Sequence, residues 1–178
     1  MNTGQTLITL GALMFLTSAV LDLNRFIANN DISMTQNQYR MEALSLLNAY
    51  IKEASAQYFD EAATDPAADK RVADFVAPEA LGADANDNGQ IDDFDDYHSL
   101  TVIDTGMSGV PYQLNFEIDY VNLPTDKVTT SAAREYHKRM KISIHDNYNQ
   151  PMIFKWVGGT KVRDTLSVSF VKSYWFYN

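Results

Sequence analysis

Side chains that carry oxygen atoms follow a calcium-binding spacing within the segment 84–95. Asp84, Asn86 and Asn88 occupy its first, third and fifth positions, and Gly89 occupies the sixth. In calcium-binding loops, oxygens at these positions line one side of a tight turn. The glycine takes the backbone angles that allow the next residue to present its carbonyl group. This spacing predicts Ca²⁺ as a bound cofactor.

The second half of this loop supplies the remaining predicted ligands of an EF-hand type site. We expect Gln90 to offer its backbone carbonyl, and Asp92 and Asp95 to approach from the far side. Asp96 could replace Asp95 after a shift of one residue, and the alternative to a metal site is a solvated acidic loop. The flanking segments do not form two EF-hand helices, so we expect a single stabilising loop with the affinity of extracellular modules, roughly 10⁻⁴ to 10⁻³ M. The predicted ligands are Asp84, Asn86, Asn88, Gln90, Asp92 and Asp95.

The composition of the chain limits the other classes of function. The net charge of -9 argues against a nucleic-acid partner, because phosphate binding needs a basic surface. The chain has 0 cysteines, which excludes disulfides and thiolate chemistry. His98, His137 and His145 have no metal-ligand spacing, and no nucleophile elbow, phosphate-binding loop or dinucleotide motif occurs. We therefore expect that the protein is not an enzyme.

A long helix is the first element expected to position the loop. No proline or glycine occurs between Gly11 and Pro66, and the absence of these helix breakers predicts a continuous helix. Its front part, residues 5–28, is apolar on all sides and reaches the length of about 20 residues that a membrane span requires. Its rear part, residues 29–61, is apolar on one face only. We therefore predict that the front lies in a membrane or among identical helices and that the rear packs on a folded domain.

The rear part of this helix shows an interruption followed by an apolar stripe. Polar residues at 29–31, with Ser33 and Gln36 as a capping box, predict a kink or a melted turn. Downstream, apolar residues recur at spacings of three and four, which predicts one helix face packed on a sheet. These residues are Leu44, Leu47, Ile51, Ala54 and Tyr58.

Most of the chain after residue 100 has the pattern of β-strands. Apolar and polar residues alternate over 112–120 and again over 140–144, which indicates strands with one buried face. Turn residues at 147–151 lead into 152–157, which predicts a hairpin. Further strands are expected at 100–103 and from 166 onward.

The predicted fold class is α+β. Short loops between half-buried strands indicate an antiparallel sheet with one face free for a helix to cover. We therefore expect a long N-terminal helix whose rear half packs on an antiparallel β-sheet head. The head comprises residues 62–178 and contains the calcium loop, residues 84–96.

The segment Gly4-Gln5-Thr6-Leu7-Ile8-Thr9 resembles the prepilin-peptidase site of the type IV pilin and type II secretion pseudopilin families, including their minor members. Thr6, Leu7 and Ile8 match the family pattern in register. In these families cleavage follows a glycine, so the resemblance implies processing between Gly4 and Gln5. The order of long helix, connector and sheet is also similar to the layout of such subunits.

Three features of the N-terminal segment differ from the family pattern. Gln5 stands where these families usually have phenylalanine, and Thr9 stands where they usually have a glutamate that pairs with a neighbouring subunit. The leader, residues 1–4, contains no basic side chain. The same lack of charge weighs against the alternative that the apolar run is a cleaved signal peptide.

The resemblance implies a structural subunit of a type IV pilus-like or type II secretion pseudopilus-like filament. It implies that a prepilin peptidase removes the leader and that the apolar helix holds the chain in the inner membrane with an extracytoplasmic head. The helix then packs with other pilin-like subunits in a pilus or another periplasmic or extracellular filament. One alternative is a single-span, membrane-anchored calcium-binding domain that does not polymerise. Another is an anchored enzyme or carbohydrate-binding module.

Overall fold

The computed structural model confirms the α+β class. One helix, α1 (Thr3–Ala56), precedes an antiparallel β-sheet. The chain divides into two compact units, Met1–Tyr39 and Arg40–Asn178, and α1 contributes residues to both. The structure describes residues 3–63, 70–83, 90–124 and 127–174.

In the first unit, helix α1 exposes its apolar side chains. Every residue from 3 to 35 is exposed, including Leu7, Phe15 and Phe26. The helix is long and apolar enough to cross a membrane, judged by its length and composition. Residues 3–35 therefore carry an apolar surface that is exposed among the described residues.

Helix α1 is continuous through residues 29–33, so the predicted melted turn is wrong. Ser33 lies inside the helix, and its hydroxyl donates a hydrogen bond to the carbonyl oxygen of Asn29 at 3.0 Å. A serine bonded in this way satisfies its hydroxyl on the preceding turn without ending the helix. The helix ends at Ala56 rather than at residue 61, and Tyr58 then forms a parallel bridge with Asp93.

In the second unit, the buried face of α1 consists largely of small side chains. Ala43, Leu47 and Ala54 are buried, and two of these three side chains are alanines. Tyr50 packs edge-on against Phe116 of the sheet, with the ring centroids 5.5 Å apart. The helix therefore does pack on the sheet, as the sequence predicted.

The predicted apolar stripe of α1 includes some residues that do not lie on its buried face. Leu44 is 37% exposed and Tyr58 is 53% exposed, whereas Ile51 is half-buried. The buried face is therefore rotated to include Ala43 rather than the larger Leu44. Tyr58 follows the end of the helix, so helical spacing does not determine where its side chain lies.

The strands are β1 (Thr101–Thr105), β2 (Pro111–Asn122), β3 (Thr129–Thr130), β4 (His137–Asp146), β5 (Phe154–Val157), β6 (Thr160–Arg163) and β7 (Leu166–Ser173). The main sheet has the strand order β1-β2-β4-β7, and the short β3 pairs with the end of β2. Strands β5 and β6 form a separate two-stranded sheet, and all these strand pairs are antiparallel.

The alternation predicted for the two central strands is confirmed. Strands β2 and β4 pair along most of their length, with Ile118 opposite Met140 and Leu114 opposite Ile144. Such opposed apolar pairs are the main stabilising contacts of an antiparallel sheet face. The residues expected to face the core are buried: Tyr112, Leu114, Phe116, Ile118, Tyr120, Met140, Ile142 and Ile144.

The prediction of a hairpin with its turn at residues 147–151 is wrong. Strand β4 already pairs with β2 on one side and β7 on the other, so the following segment cannot join it. That segment instead forms β5, which pairs with β6 across Gly158 and Gly159. The φ angles of these glycines are 57° and 82°, as a two-residue type I′ turn requires.

Candidate functional site

The predicted calcium ligands fall into two groups. Asp92 and Gln90 are exposed, whereas Asp95 is buried. Within the described ranges, no group of three or more His, Cys, Asp or Glu side chains is arranged to hold a metal ion. The other predicted ligands lie outside the described residues: Asp84, Asn86 and Asn88.

Carboxylates organise the backbone at the end of the loop. Asp93 Oδ1 accepts hydrogen bonds from the backbone N–H groups of Asp95, at 2.8 Å, and Asp96, at 3.1 Å. Asp96 Oδ2 accepts hydrogen bonds from the N–H groups of Asp92, at 2.9 Å, and Asp93, at 3.2 Å. Asp96, the substitute ligand considered for Asp95, therefore uses one oxygen to fix the turn.

The crowding of these carboxylates has an electrostatic cost. Burial, together with the charges of Asp95 and Asp96, raises the pKa of Asp93 to about 8. Burial also raises the pKa of Asp95, whereas the adjacent Lys138 ammonium opposes that rise. A positive charge close to this turn is therefore electrostatically favourable.

Lys138 provides one such charge from inside the protein. Its side chain is completely buried, and its Nζ lies 2.5 Å from Asp95 Oδ1 and 2.8 Å from Asp60 Oδ2. Nζ also donates a hydrogen bond to the carbonyl oxygen of Phe59 at 3.0 Å. The ammonium has three donors and three oxygen partners, so its buried charge is fully hydrogen-bonded. The rings of Phe59 and Tyr120 lie 4.7 and 5.2 Å from Nζ.

Asp60 extends this network into a second segment. Its Oδ1 accepts a hydrogen bond from the N–H of Ala62 at 3.2 Å, and its Oδ2 accepts one from the N–H of Val76 at 3.0 Å. Tyr120 donates its hydroxyl proton to the carbonyl oxygen of Val76 at 2.8 Å. Burial, followed by the charge of Asp60, raises the pKa of Tyr120. The network therefore joins four separate parts of the chain around one lysine.

Lys138 is not among the residues predicted from the sequence, although the sequence contains a signal for it. Lys138 lies on the same face of β4 as the buried residues Met140, Ile142 and Ile144, because alternate residues of a strand share a face. A lysine at a core-facing position of an alternating strand must find buried acidic partners, because an unpaired buried charge is very costly. The partners themselves could not be identified from the sequence, because they come from distant segments.

A second group of polar contacts joins α1 to the sheet within the second unit. Glu42 accepts hydrogen bonds from the hydroxyls of Ser108, at 2.6 Å, and Tyr112, at 3.0 Å. Burial alone would raise the pKa of Glu42, but these bonds and the backbone N–H of Ser108 lower it overall. Arg40 forms a 2.7 Å ion pair with Asp164. These contacts fix the rear of α1 to the sheet in addition to its apolar face.

The predicted processing residues lie at the start of α1. Gly4 and Gln5 are helical and exposed, and the Thr6 hydroxyl donates a hydrogen bond to the carbonyl oxygen of Thr3 at 2.8 Å. The first two residues lie outside the described range.

No protein-family model, curated protein or solved structure matches this chain. Its function is therefore inferred from its own residues and contacts.

Proposed function

We propose that this chain is a structural subunit of a type IV pilus-like or type II secretion pseudopilus-like filament. Its apolar helix holds it in the inner membrane before assembly, and a calcium ion stabilises its head. A prepilin peptidase cleaves between Gly4 and Gln5. The front of α1 then leaves the lipid and packs against the corresponding helices of other subunits.

The observation that carries this proposal is the exposure of apolar side chains around the front of α1. The consecutive residues Leu13, Met14, Phe15 and Leu16 are 61%, 66%, 78% and 60% exposed. Four consecutive residues point to all sides of a helix, because each is rotated by about 100° from the last. Burying such a side chain contributes about 1.5–3 kcal/mol, so this segment needs a lipid or protein environment on every side.

The continuity of α1 favours a filament subunit over a simple anchor. The same helix that is apolar on all sides at its front provides the buried residues Ala43, Leu47 and Ala54 at its rear. Packing among identical apolar helices can replace lipid contacts without changing the helix. Together with the resemblance at Thr6, Leu7 and Ile8, this arrangement supports assembly through the N-terminal helix.

The calcium part of the proposal rests on the loop spacing and on the contacts of the last predicted ligand. Asp95 is held by Lys138, which also holds Asp60, four positions after the end of α1 at Ala56. A cation bound by residues 84–95 would add its binding energy to the stability of the segment that leads into this buried network. We therefore propose a structural role for the ion rather than a signalling one.

The proposed processing is tested by co-expressing the full chain with a prepilin peptidase and determining its N-terminus. We expect the mature chain to begin at Gln5. Gly4→Leu should block cleavage, whereas the matched variant Gly11→Leu should still be cleaved. Both glycines lie in α1 with no atom within 4 Å of an added Cβ, so neither substitution causes a clash.

Two results would contradict the proposal in different ways. An intact Met1 would favour the single-span, membrane-anchored calcium-binding domain that does not polymerise. A chain beginning at Val20 would show that the apolar run is a cleaved signal peptide.

A further inference from the structure

The hairpin formed by β5 and β6 exposes large apolar side chains at its end. Trp156 is 67% exposed, Val157 is 54% exposed and Val162 is 40% exposed. The hairpin pairs with no strand of the main sheet in the part of the chain that the structure describes. A two-stranded hairpin is only marginally stable in water by itself, so burial of these side chains would stabilise it.

The exposed apolar residues lie on both faces of the hairpin. Trp156 pairs with Lys161, whereas Val157 pairs with Thr160 in the adjacent register position. Successive residues of a strand point to opposite faces, so Trp156 lies on one face and Val157 on the other. A protein groove would cover one face. Apolar residues on both faces of a hairpin end are better suited to insertion into a layer that surrounds them.

The exposed charged side chains of the hairpin are positive. Lys155 and Arg163 have side chains that are 58% and 34% exposed, and Lys161 is exposed as well. Their carboxylate partners, Asp164 and Asp146, are only 17% and 0% exposed. The hairpin therefore presents positive charge to its surroundings, although the whole chain has a net charge of -9.

The base of the hairpin is attached to helix α1. Arg40 donates hydrogen bonds to Asp164 Oδ2 at 2.7 Å and to the carbonyl oxygen of Phe154 at 3.5 Å. Arg40 is the first residue of the second unit, so it directly follows the unit that contains the apolar helix segment. The hairpin is thus tied to α1 through Arg40 within the second unit.

We propose that the β5–β6 hairpin inserts its end into the headgroup region of an anionic membrane while the chain is anchored there. Tryptophan is favoured at the interface between lipid and water, and lysine and arginine side chains reach the headgroups while their stems cover apolar surface. Anionic lipids attract the positive charge of Lys155, Lys161 and Arg163. The inference rests on the membrane anchoring in the proposed function, and it adds a second membrane contact that lies within the head.

The test uses the full chain reconstituted into lipid vesicles. The chain has 2 tryptophans, so Trp175→Phe leaves Trp156 as the only one. Flotation with the vesicles reports anchoring, and quenching of Trp156 fluorescence by brominated lipids reports insertion of the hairpin. We expect a blue-shifted, quenched Trp156 in phosphatidylcholine vesicles that contain phosphatidylglycerol. We expect an unquenched Trp156 in phosphatidylcholine alone.

Substitution of lysines separates charge recognition from nonspecific contact. Lys155→Gln with Lys161→Gln should lower the ratio of inserted to free hairpin by about 30-fold, since each cation near an anionic surface contributes roughly fivefold. The matched pair Lys127→Gln with Lys141→Gln removes two exposed lysines outside the hairpin and should leave quenching unchanged.

The possible contrary results are distinguishable. Flotation with an unquenched Trp156 in anionic vesicles would overturn the inference and leave the anchor intact. Equal quenching in neutral vesicles would overturn charge recognition. A blue shift without quenching that grows with protein density would assign the hairpin to a second copy of the chain instead. A chain that does not float would overturn the anchoring and the inference together.

Discussion

Lys138 Nζ lies 2.8 Å from Asp60 Oδ2, and both side chains are almost completely shielded from water. The pair joins strand β4 to the segment that follows the end of α1. Asp95, at the end of the predicted calcium loop, shares the same ammonium. Since an isolated buried charge is strongly unfavourable, each member of this group depends on the others.

Removing the central charge should therefore destabilise the protein more than removing any surface charge. We expect Lys138→Met to lower the free energy of unfolding by about 3–5 kcal/mol, because it leaves two buried carboxylates without their cation. The measurement is urea unfolding of the full chain in detergent. The additional substitutions Asp60→Asn and Asp95→Asn should restore part of the loss.

The matched control is Lys141→Met in the same strand. Lys141 pairs with Glu117 at 3.1 Å, and their side chains are 49% and 55% exposed. Such a pair contributes less than about 1 kcal/mol. An equal effect of the two lysine substitutions would show that the buried network does not stabilise the protein.

The contact between Glu42 and Gly106 should give a measurable coupling. A Cβ added at Gly106 would lie 2.4 Å from the Cδ of Glu42, so Gly106→Ala forces the carboxylate away from Ser108. We expect this substitution to cost about 1–2 kcal/mol in the wild-type background, because Glu42 loses its hydrogen bonds to Ser108. In a Glu42→Ala background the cost should largely disappear, which a double-mutant cycle of unfolding free energies would measure. Additive effects would contradict the contact.

The sequence predicts those features that depend on local pattern. The central strands β2 and β4 could be predicted because their alternation is local, and α1 because helix breakers are missing. The burial of Ala43 in place of Leu44 could not be predicted, since it depends on how the rear of α1 packs in the tertiary fold. The partners of Lys138 could not be predicted either, because Asp60 and Asp95 are brought to it only by the tertiary fold. The calcium site stays a prediction.

Tyr50 should contribute to the loss of stability in alkaline solution. Burial, followed by the charge of Asp104 and a hydrogen bond to it, raises the pKa of Tyr50 from 10.0 to about 12. The hydroxyl therefore stays protonated up to a higher pH in the folded chain than in the unfolded one. Its contribution is fully present below pH 10 and is lost as the pH rises towards 12.

Tyr50→Phe isolates this effect, because it removes only the hydroxyl and keeps the ring against Phe116. Between pH 10 and 12 the wild type should lose about 1 kcal/mol more than the variant, a figure reduced for partial solvent exposure. Thermal unfolding of both proteins across this range measures the difference. Parallel pH profiles would contradict the assigned shift.

Calcium removal should lower the melting temperature of the full chain. At a calcium concentration about tenfold above the dissociation constant, the ion stabilises the folded state by about 1.4 kcal/mol. Chelation should therefore lower the melting temperature by about 3–6 °C. Asp84→Ala should abolish the response, whereas Asp31→Ala, an acidic residue in α1, should retain it. An unchanged melting temperature on chelation would contradict the predicted calcium site.

The proposed role as a filament subunit is tested most directly by labelling the assembled chain. The chain has 0 cysteines, and Met107 is fully exposed, so Met107→Cys gives a single accessible site for a fluorescent dye. The labelled protein is produced in a host with an active pilus or pseudopilus system, and the filaments are sheared off and imaged. We predict dye incorporated in the filaments. Dye confined to the inner membrane while unlabelled filaments form would contradict the proposal.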